Sequence, residues 1–250
     1  MKRFENQVAI ITGGARGIGQ AIGQRIGEEG GIVFLLDVLE EMVQTTAHQL
    51  REAGYQVTGL PVDISNETDV KLTVQKIMEQ TGKIDIVVNC AGIVGLTATK
   101  ITDYDLATFE RVHKVNLVGA FLITKYVIGH MGKAEYGRIL HISSIGGKEG
   151  NPGMVGYAAS KSGLMGLVKG VGKEFADKGI TVNGLAPAVI ATPMNQDTDQ
   201  KMLDYMASKI PMGRLGTVEE AAAIACWIVS KEASFNTGFI FDLSGGRATF

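Results

Sequence analysis

Short apolar runs, each closed by glycine or a carboxylate, alternate along the chain with stretches of helical period. Residues 8–12, VAIIT, carry no charge and are bounded by glycine, the pattern of a strand buried on both faces of a parallel sheet. A helical pattern follows through Ile22 and Ile26 and stops at Gly30 and Gly31. A second strand is predicted over 32–36, ending at Asp37, then a helix over 40–53 with Gly54 as its stop, then a third strand over 56–62 ending at Asp63. Asn66, with Asp69 three residues on, caps a helix that runs to Gln80 and is stopped by Gly82. A fourth strand is expected at 84–88, and a long helical zone at 103–131, broken near Asn116 and Gly119. Residues 138–142 form the fifth strand, a helix through Tyr157 and Lys161 runs to about Ala176, and 181–186 form the sixth strand. A helix at 218–229 and a strand at 239–243 complete the chain, while 189–214, polar and Met-rich, is expected to be irregular and mobile. Seven strands alternating with helices predict an α/β fold, one doubly wound parallel sheet in a single domain spanning 1–250.

Composition narrows the partners rather than the fold. At 250 residues the chain is long enough for one large α/β domain with a substantial core. A formal net charge of −2 and an apolar share of 45% argue against a nucleic-acid footprint, so a small-molecule substrate is expected, with no nucleic acid and no membrane partner. The apolar run near the N-terminus is too short for a signal peptide, and no stretch of 18 apolar residues occurs. Cys90 and Cys226 form no Cys-x-x-Cys pattern, which suits a reduced, cytoplasmic setting. His48, His113, His130 and His141 show no metal-ligand spacing, and no metal is predicted.

Candidate chemistry gathers in two places. Gly13, Gly17 and Gly19 follow the first strand and open a helix, where small residues let backbone amides and the helix N-terminus approach a pyrophosphate. Their Gly-x-x-x-Gly-x-Gly spacing departs from the commoner dinucleotide fingerprint. Asp37, closing the second strand, can accept from both adenosine ribose hydroxyls and repel a 2′-phosphate, which selects NAD(H) over NADP(H). Arg16 is the dissenting residue, since a cation in this loop suits a 2′-phosphate. Asp63 is placed to accept from the adenine amino group, with Ile64 beside it on the cofactor side.

The second place is the run from Ser144 to Lys161. Tyr157 and Lys161, four apart on a helix, share one face, and an adjacent ammonium favours the phenolate of a tyrosine whose ordinary pKa is near ~10. Ser144, on a Gly-rich turn after an apolar strand, can hydrogen-bond the same substrate oxygen. That constellation suits proton transfer to or from an alcohol or carbonyl.

Taken together, Thr12 to Gly19, Asn89-Cys90-Ala91-Gly92, Asn116, Ser144, Tyr157 with Lys161, and Asn183 with Pro187 and Thr192 resemble the short-chain dehydrogenase/reductase family over essentially the whole chain. The resemblance implies a Rossmann-type sheet in the order 3-2-1-4-5-6-7, a homotetramer of 222 symmetry, and hydride transfer between nicotinamide and a secondary alcohol or ketone. It implies Tyr157 as general acid/base, Ser144 orienting the substrate oxygen, and Lys161 lowering the tyrosine pKa and binding the nicotinamide ribose. Asn116 would anchor a water of the proton relay. Gly13, Arg16, Gly17, Ile18, Gly19, Asn89, Ala91, Gly92, Pro187, Ile190 and Thr192 would hold NAD. Two positions depart from the family pattern, Cys90 in place of asparagine and Ala188 in place of glycine.

On the substrate side, Lys148 follows Ser144 closely, and Arg247 lies in a tail short enough to reach a neighbouring subunit's pocket and pair with a substrate carboxylate. The segments KEGNPGM, IPMGRLG and SGGRATF resemble those of family members acting on 2-keto-3-deoxy sugar acids. A small, polar, acidic hydroxy compound is therefore the expected substrate. A 3-oxoacyl-thioester reductase is the alternative enzyme, and a dinucleotide-binding sensor without turnover the alternative class.

Overall fold

The uncharged Val, Ile and Leu runs become the middle of one parallel sheet, because only a strand covered on both faces can bury every side chain. The structure, a computed structural model, describes residues 2–192 and 200–248. Among these, seven strands, β1 (Val8–Thr12), β2 (Ile32–Asp37), β3 (Gln56–Pro61), β4 (Ile86–Asn89), β5 (Gly137–Ile142), β6 (Ile180–Pro187) and β7 (Ile240–Leu243), pair in the order β3-β2-β1-β4-β5-β6-β7. The expected order is thus observed. Strand direction of travel reverses at β1: the chain goes to β2 and β3 on one side, then returns to β4 on the other. In register, Thr12 pairs with Leu36 on one side and with Asn89 on the other, so a crevice opens at the carboxyl ends of β1, β2 and β4.

The helices α1 (Gly17–Glu28), α2 (Glu40–Glu52) and α9 (Val218–Ile228) cover one face, and α3 (Glu67–Thr81) and α5 (Gly119–Ala134) the other. Alternation along β1 serves both cores: Ala9 and Ile11 pack with Ile22, Ile26 and Val43, while Val8 and Ile10 pack with Val74, Ile77 and Ile123. Each such aliphatic side chain contributes about 1.5–3 kcal/mol on burial, and truncating one to alanine costs about 2–5 kcal/mol. Asn66 caps α3 as expected, its Oδ1 accepting from Thr68 and Asp69 amides, and Gly82 ends it at φ +71°.

Several boundaries differ from expectation for local reasons. The fourth strand begins at Ile86 rather than at residue 84, since the Asp85 carboxylate accepts from the Val8 amide at 2.8 Å. The zone read as one broken helix is a 3-10 turn (Ile101–Asp103), α4 (Leu106–His113) capped by Asp105, a π-turn (Lys114–Val118), then α5. From Leu106 to Ala134 this run is long and apolar enough to cross a membrane, yet half of its most apolar window is buried in the fold. Three more α-helices, α6 (Ile145–Glu149), α7 (Val155–Glu174) and α8 (Gln200–Ser208), and 3-10 turns at Ala176–Lys178 and Lys231–Ala233 follow among the described residues. Helix α8 lies inside the segment expected to be irregular, and Ile190 makes a parallel bridge to Gly216 there. Residues 193–199 of that segment lie outside the described residues.

Candidate active site

The glycine turn after β1 is folded back so tightly that side chains are excluded. A Cβ on Gly19 would lie 2.2 Å from the Gly13 carbonyl oxygen, and one on Gly13, at φ +62°, would lie 2.8 Å from the Ala91 amide. The turn is fastened to β2 and α2: the Asp37 carboxylate accepts from the Ala15 amide and from the Leu39 amide, each at 3.1 Å, and buried Thr46 donates to the Ala15 carbonyl at 2.7 Å. A cleft of about 600 Å³ opens above it, lined by Gly13, Arg16, Gly17, Ile18, Gly19, Asp37, Asp63, Ile64, Ala91, Gly92 and Thr192, all expected from the sequence. Val38, Leu39, Ser65, Ile93, Arg111, Lys114 and Val115 line it too and were not expected. Arg111, Lys114 and Val115 had no motif to mark them; only the turn of helix into π-turn brings them to the cleft.

Three expected cofactor residues lie behind the cleft wall rather than on it. Asn89 is buried, its Oδ1 accepting from Thr12 Oγ1 at 2.6 Å, and that oxygen in turn accepts from the Ala91 amide at 3.2 Å. Pro187 ends β6 opposite Leu243, and Ile190 is buried against Gly216. Each therefore shapes the wall from beneath. Cys90 lines the cleft as a neutral thiol, burial pushing it up to about 12. Ala188 has no left-handed backbone and donates to the Leu243 carbonyl at 2.8 Å, so the missing glycine costs no strain.

Ser144, Tyr157 and Lys161 are not among the residues that line the cleft. Ser144 caps α6, accepting from the Gly146 amide at 3.1 Å, and its side chain also hydrogen-bonds the Tyr157 hydroxyl. Tyr157 and Lys161 are one turn apart on α7, with Lys161 Nζ 5.8 Å from the centre of the tyrosine ring. Nζ donates to the Ile142 carbonyl at 2.8 Å, and a Cβ on Gly92 would lie 3.3 Å from it. Burial pushes Lys161 down to about 8. Burial also raises Tyr157, with the Ser144 hydrogen bond pulling the other way. The expectation of a lowered pKa is thus corrected for the chain by itself: desolvation of the phenolate outweighs the Ser144 hydrogen bond. Asn116, fully buried in the π-turn, is bonded twice to Ile93, its Nδ2 donating to the carbonyl at 2.9 Å and its Oδ1 accepting from the amide at 2.8 Å.

The substrate-side candidates are paired. Lys148, rather than sitting in a solvated loop, is folded onto Asp242 at 2.8 Å with 9% of its side chain exposed. Arg247 donates to Glu149 of its own chain at 2.7 Å and to Asn151 at 3.5 Å. Both pairs tie the short helix after Ser144 to the C-terminal strand and tail. The arrangement can seat a dinucleotide on the glycine turn and exchange a proton with an oxygen brought to Ser144 and Tyr157.

Known proteins agree with this arrangement. The family model described as enoyl-(acyl carrier protein) reductase matches residues 13–248. The chain is 41% identical to a 2-dehydro-3-deoxy-L-rhamnonate dehydrogenase (NAD(+)) of Sphingomonas sp. (strain SKA58), over 99% of this chain and 98% of that one. It is 36% identical to a 3-oxoacyl-(acyl-carrier-protein) reductase FabG of Thermotoga maritima, over 98% of each. The crystal structure of an NAD+-bound xylitol dehydrogenase superposes with a TM-score of 0.92 at 29% identity, covering 98% of this chain and 100% of that one. With the glycine turn, the Ser144, Tyr157 and Lys161 set and the sheet order all in place, the chain belongs to the short-chain dehydrogenase/reductase family.

Proposed function

We propose that the protein is an NAD(H)-dependent oxidoreductase acting on the secondary alcohol or ketone of a small, polar, acidic substrate of sugar-acid type. The observation that carries the reading is the hydrogen-bonded Ser144 and Tyr157 pair, with Lys161 one turn away and its Nζ packed against Gly92 of the cleft wall, beside a glycine turn fastened to Asp37. The Sphingomonas relative, named for NAD(+) and a deoxy sugar acid, supports both cofactor and substrate class.

The cleft fits a dinucleotide, because glycine at 13 and 19 leaves backbone where side chains would clash, glycine at 17 takes φ +60°, and the N-terminus of α1 faces the crevice. When bound, the nicotinamide supplies the hydride acceptor or donor. Asp37 would hold the adenosine ribose and disfavour a 2′-phosphate, Asp63 and Ile64 would take the adenine side, and Thr192 would hold the carboxamide. Ser144 donates to the substrate oxygen and orients it, and Tyr157 takes or gives the proton at that oxygen. Lys161 supplies positive charge beside the phenol and a donor for the nicotinamide ribose, and Asn116 keeps the relay behind it in register. Lys148 and Arg247, each paired with a carboxylate of its own chain, would meet a substrate carboxylate only by exchanging Asp242 or Glu149 for it.

The working form is a cytoplasmic homotetramer. Exposed Phe235 and Phe239 near the free edge of β7, and exposed Leu106, Val118 and Phe121 on the α4 to α5 run, supply apolar surface for association.

The test is NADH formation across a panel of hydroxy acids, sugar acids and polyols with NAD+ and NADP+. Turnover of sugar acids with NAD+ preferred is expected. Reduction of 3-oxoacyl thioesters with NADPH, and no turnover of any hydroxy acid, would replace this reading with the acyl-thioester one.

A further inference from the structure

Asn116 has two Nδ2 protons and one Oδ1 to satisfy, and its side chain is fully buried. Ile93 takes one proton and fills the oxygen. The second proton goes to Ser160 Oγ at 3.0 Å, and Ser160 is itself fully buried. Ser160 spends its own proton on the Tyr157 carbonyl at 2.8 Å, one turn back along α7. Its oxygen toward Asn116 is therefore purely an acceptor, which matches the amide face that Ile93 demands. The four groups form a closed chain from the Ile93 backbone, on the cofactor side, through Asn116 and Ser160 to the backbone of Tyr157. Gly92, next to Ile93, is packed where a Cβ would touch both Asn116 Oδ1, at 3.2 Å, and Lys161 Nζ, at 3.3 Å. A shift of Asn116 is thus felt at the two sides of the crevice at once.

We propose that Ser160 is a positioning residue for the reaction: it fixes the Asn116 amide and so sets the distance between the Ala91 to Ile93 wall and the helix bearing Tyr157 and Lys161. The proposal rests on the oxidoreductase reading for its kinetic consequence, but not for its structural one. Without the Ser160 oxygen, a buried Asn116 proton loses its acceptor, and the amide must turn or take another partner. Either response loosens its bonds to Ile93.

Two measurements on Ser160→Ala and Ser160→Thr test it, both on the full-length protein. Hydrogen exchange of peptides covering residues 91–95 should quicken in Ser160→Ala, with the rest of the sheet unchanged, and return toward wild type in Ser160→Thr. With substrate, Ser160→Ala should lower kcat by about tenfold or more while KM for NAD moves little, the mark of misplaced reacting groups rather than lost binding. A cycle with Asn116→Ala decides whether Ser160 acts through Asn116: Ser160→Ala should add nothing to the kcat loss once Asn116 has been truncated. Unchanged exchange at 91–95 in Ser160→Ala, or full additivity in the cycle, would overturn the proposal. If the wild type turns over no substrate, the oxidoreductase reading fails while the exchange result still decides this one.

Discussion

Lys161 Nζ lies 5.8 Å from the centre of the Tyr157 ring and is bonded to the Ile142 carbonyl, so the ammonium is anchored to the sheet beside the phenol rather than on it. Geometry of this kind biases the tyrosine without pairing with it. In the chain by itself the phenol stays neutral, raised by burial and only partly offset by Ser144. The Tyr157 phenolate of the cofactor-free protein should therefore appear only at higher pH than that of an ordinary tyrosine, read as the absorbance difference between wild type and Tyr157→Phe. Removing the offset in Ser144→Ala should push that titration higher still. Both variants should lose turnover by about 10²–10⁴-fold, the range of a positioned proton donor. A phenolate band growing in near pH 8 in the cofactor-free wild type would contradict the balance described here.

Lys161 itself makes a prediction about stability. Burial lowers it from its ordinary 10.5 to about 8, so between those values the unfolded chain holds a proton that the folded one lacks. Stability accordingly rises with pH across that window and is lost as pH falls from 10.5 to 8, after which the loss is constant. The gap corresponds to about 3 kcal/mol as an order of magnitude. Lys161→Met should be inactive yet more stable than wild type at pH 7, by about 1–3 kcal/mol less the lost bond to Ile142. Urea denaturation of cofactor-free protein at pH 7 and pH 9.5 checks it, and the advantage of the variant should shrink at the higher pH. A wild type that is the more stable at pH 7, with a difference indifferent to pH, would refute the sign.

Much of this site was legible because its parts are local. The i, i+4 pair Tyr157 and Lys161, the glycine turn, and the Asn66 cap need only one turn of helix or one loop to be read, and they stand where expected. Contacts across the fold were not legible. Nothing near Lys148 marks Asp242 as its partner, nor does anything near Arg247 mark Glu149; the pairs exist because β7 and the tail close beside α6. The π-turn at Asn116 read only as a break, since an extra residue per turn leaves no signature in composition. The direction of the tyrosine shift was missed for a related reason: a neighbouring charge is visible in a linear sequence, whereas desolvation depends on what packs from elsewhere.

Asp37, proposed to hold the cofactor ribose, also accepts from the amides of Ala15 and Leu39. Asp37→Ala should therefore raise KM for NAD by at least about tenfold, narrow the preference over NADP, and lower the melting temperature as two backbone amides lose a charged acceptor. Asp37→Asn, which keeps one acceptor oxygen, should recover part of the stability but little of the cofactor preference. Steady-state kinetics with both cofactors and a thermal melt separate the two jobs. An unchanged NAD preference in Asp37→Ala would remove Asp37 from cofactor selection.

The glycines divide into those the fold requires and those it merely tolerates, and two alanine substitutions expose the difference. On Gly19 a Cβ would lie 2.2 Å from the Gly13 carbonyl oxygen, a backbone atom that cannot yield without opening the turn. On Gly132, in α5, a Cβ meets nothing within 4 Å and the backbone is helical. Gly132→Ala should stabilise the protein by about 0.5–1 kcal/mol, because alanine restricts the unfolded chain and suits a helix interior. Gly19→Ala should abolish NADH binding, as followed by calorimetric titration, and destabilise the fold in urea. The contrast separates shape from propensity: both changes add one methyl group to a helical glycine, and only the neighbour differs. Wild-type NADH affinity in Gly19→Ala would mean that the turn can rearrange, and with it would go the case that the cleft is built around a pyrophosphate held on bare backbone.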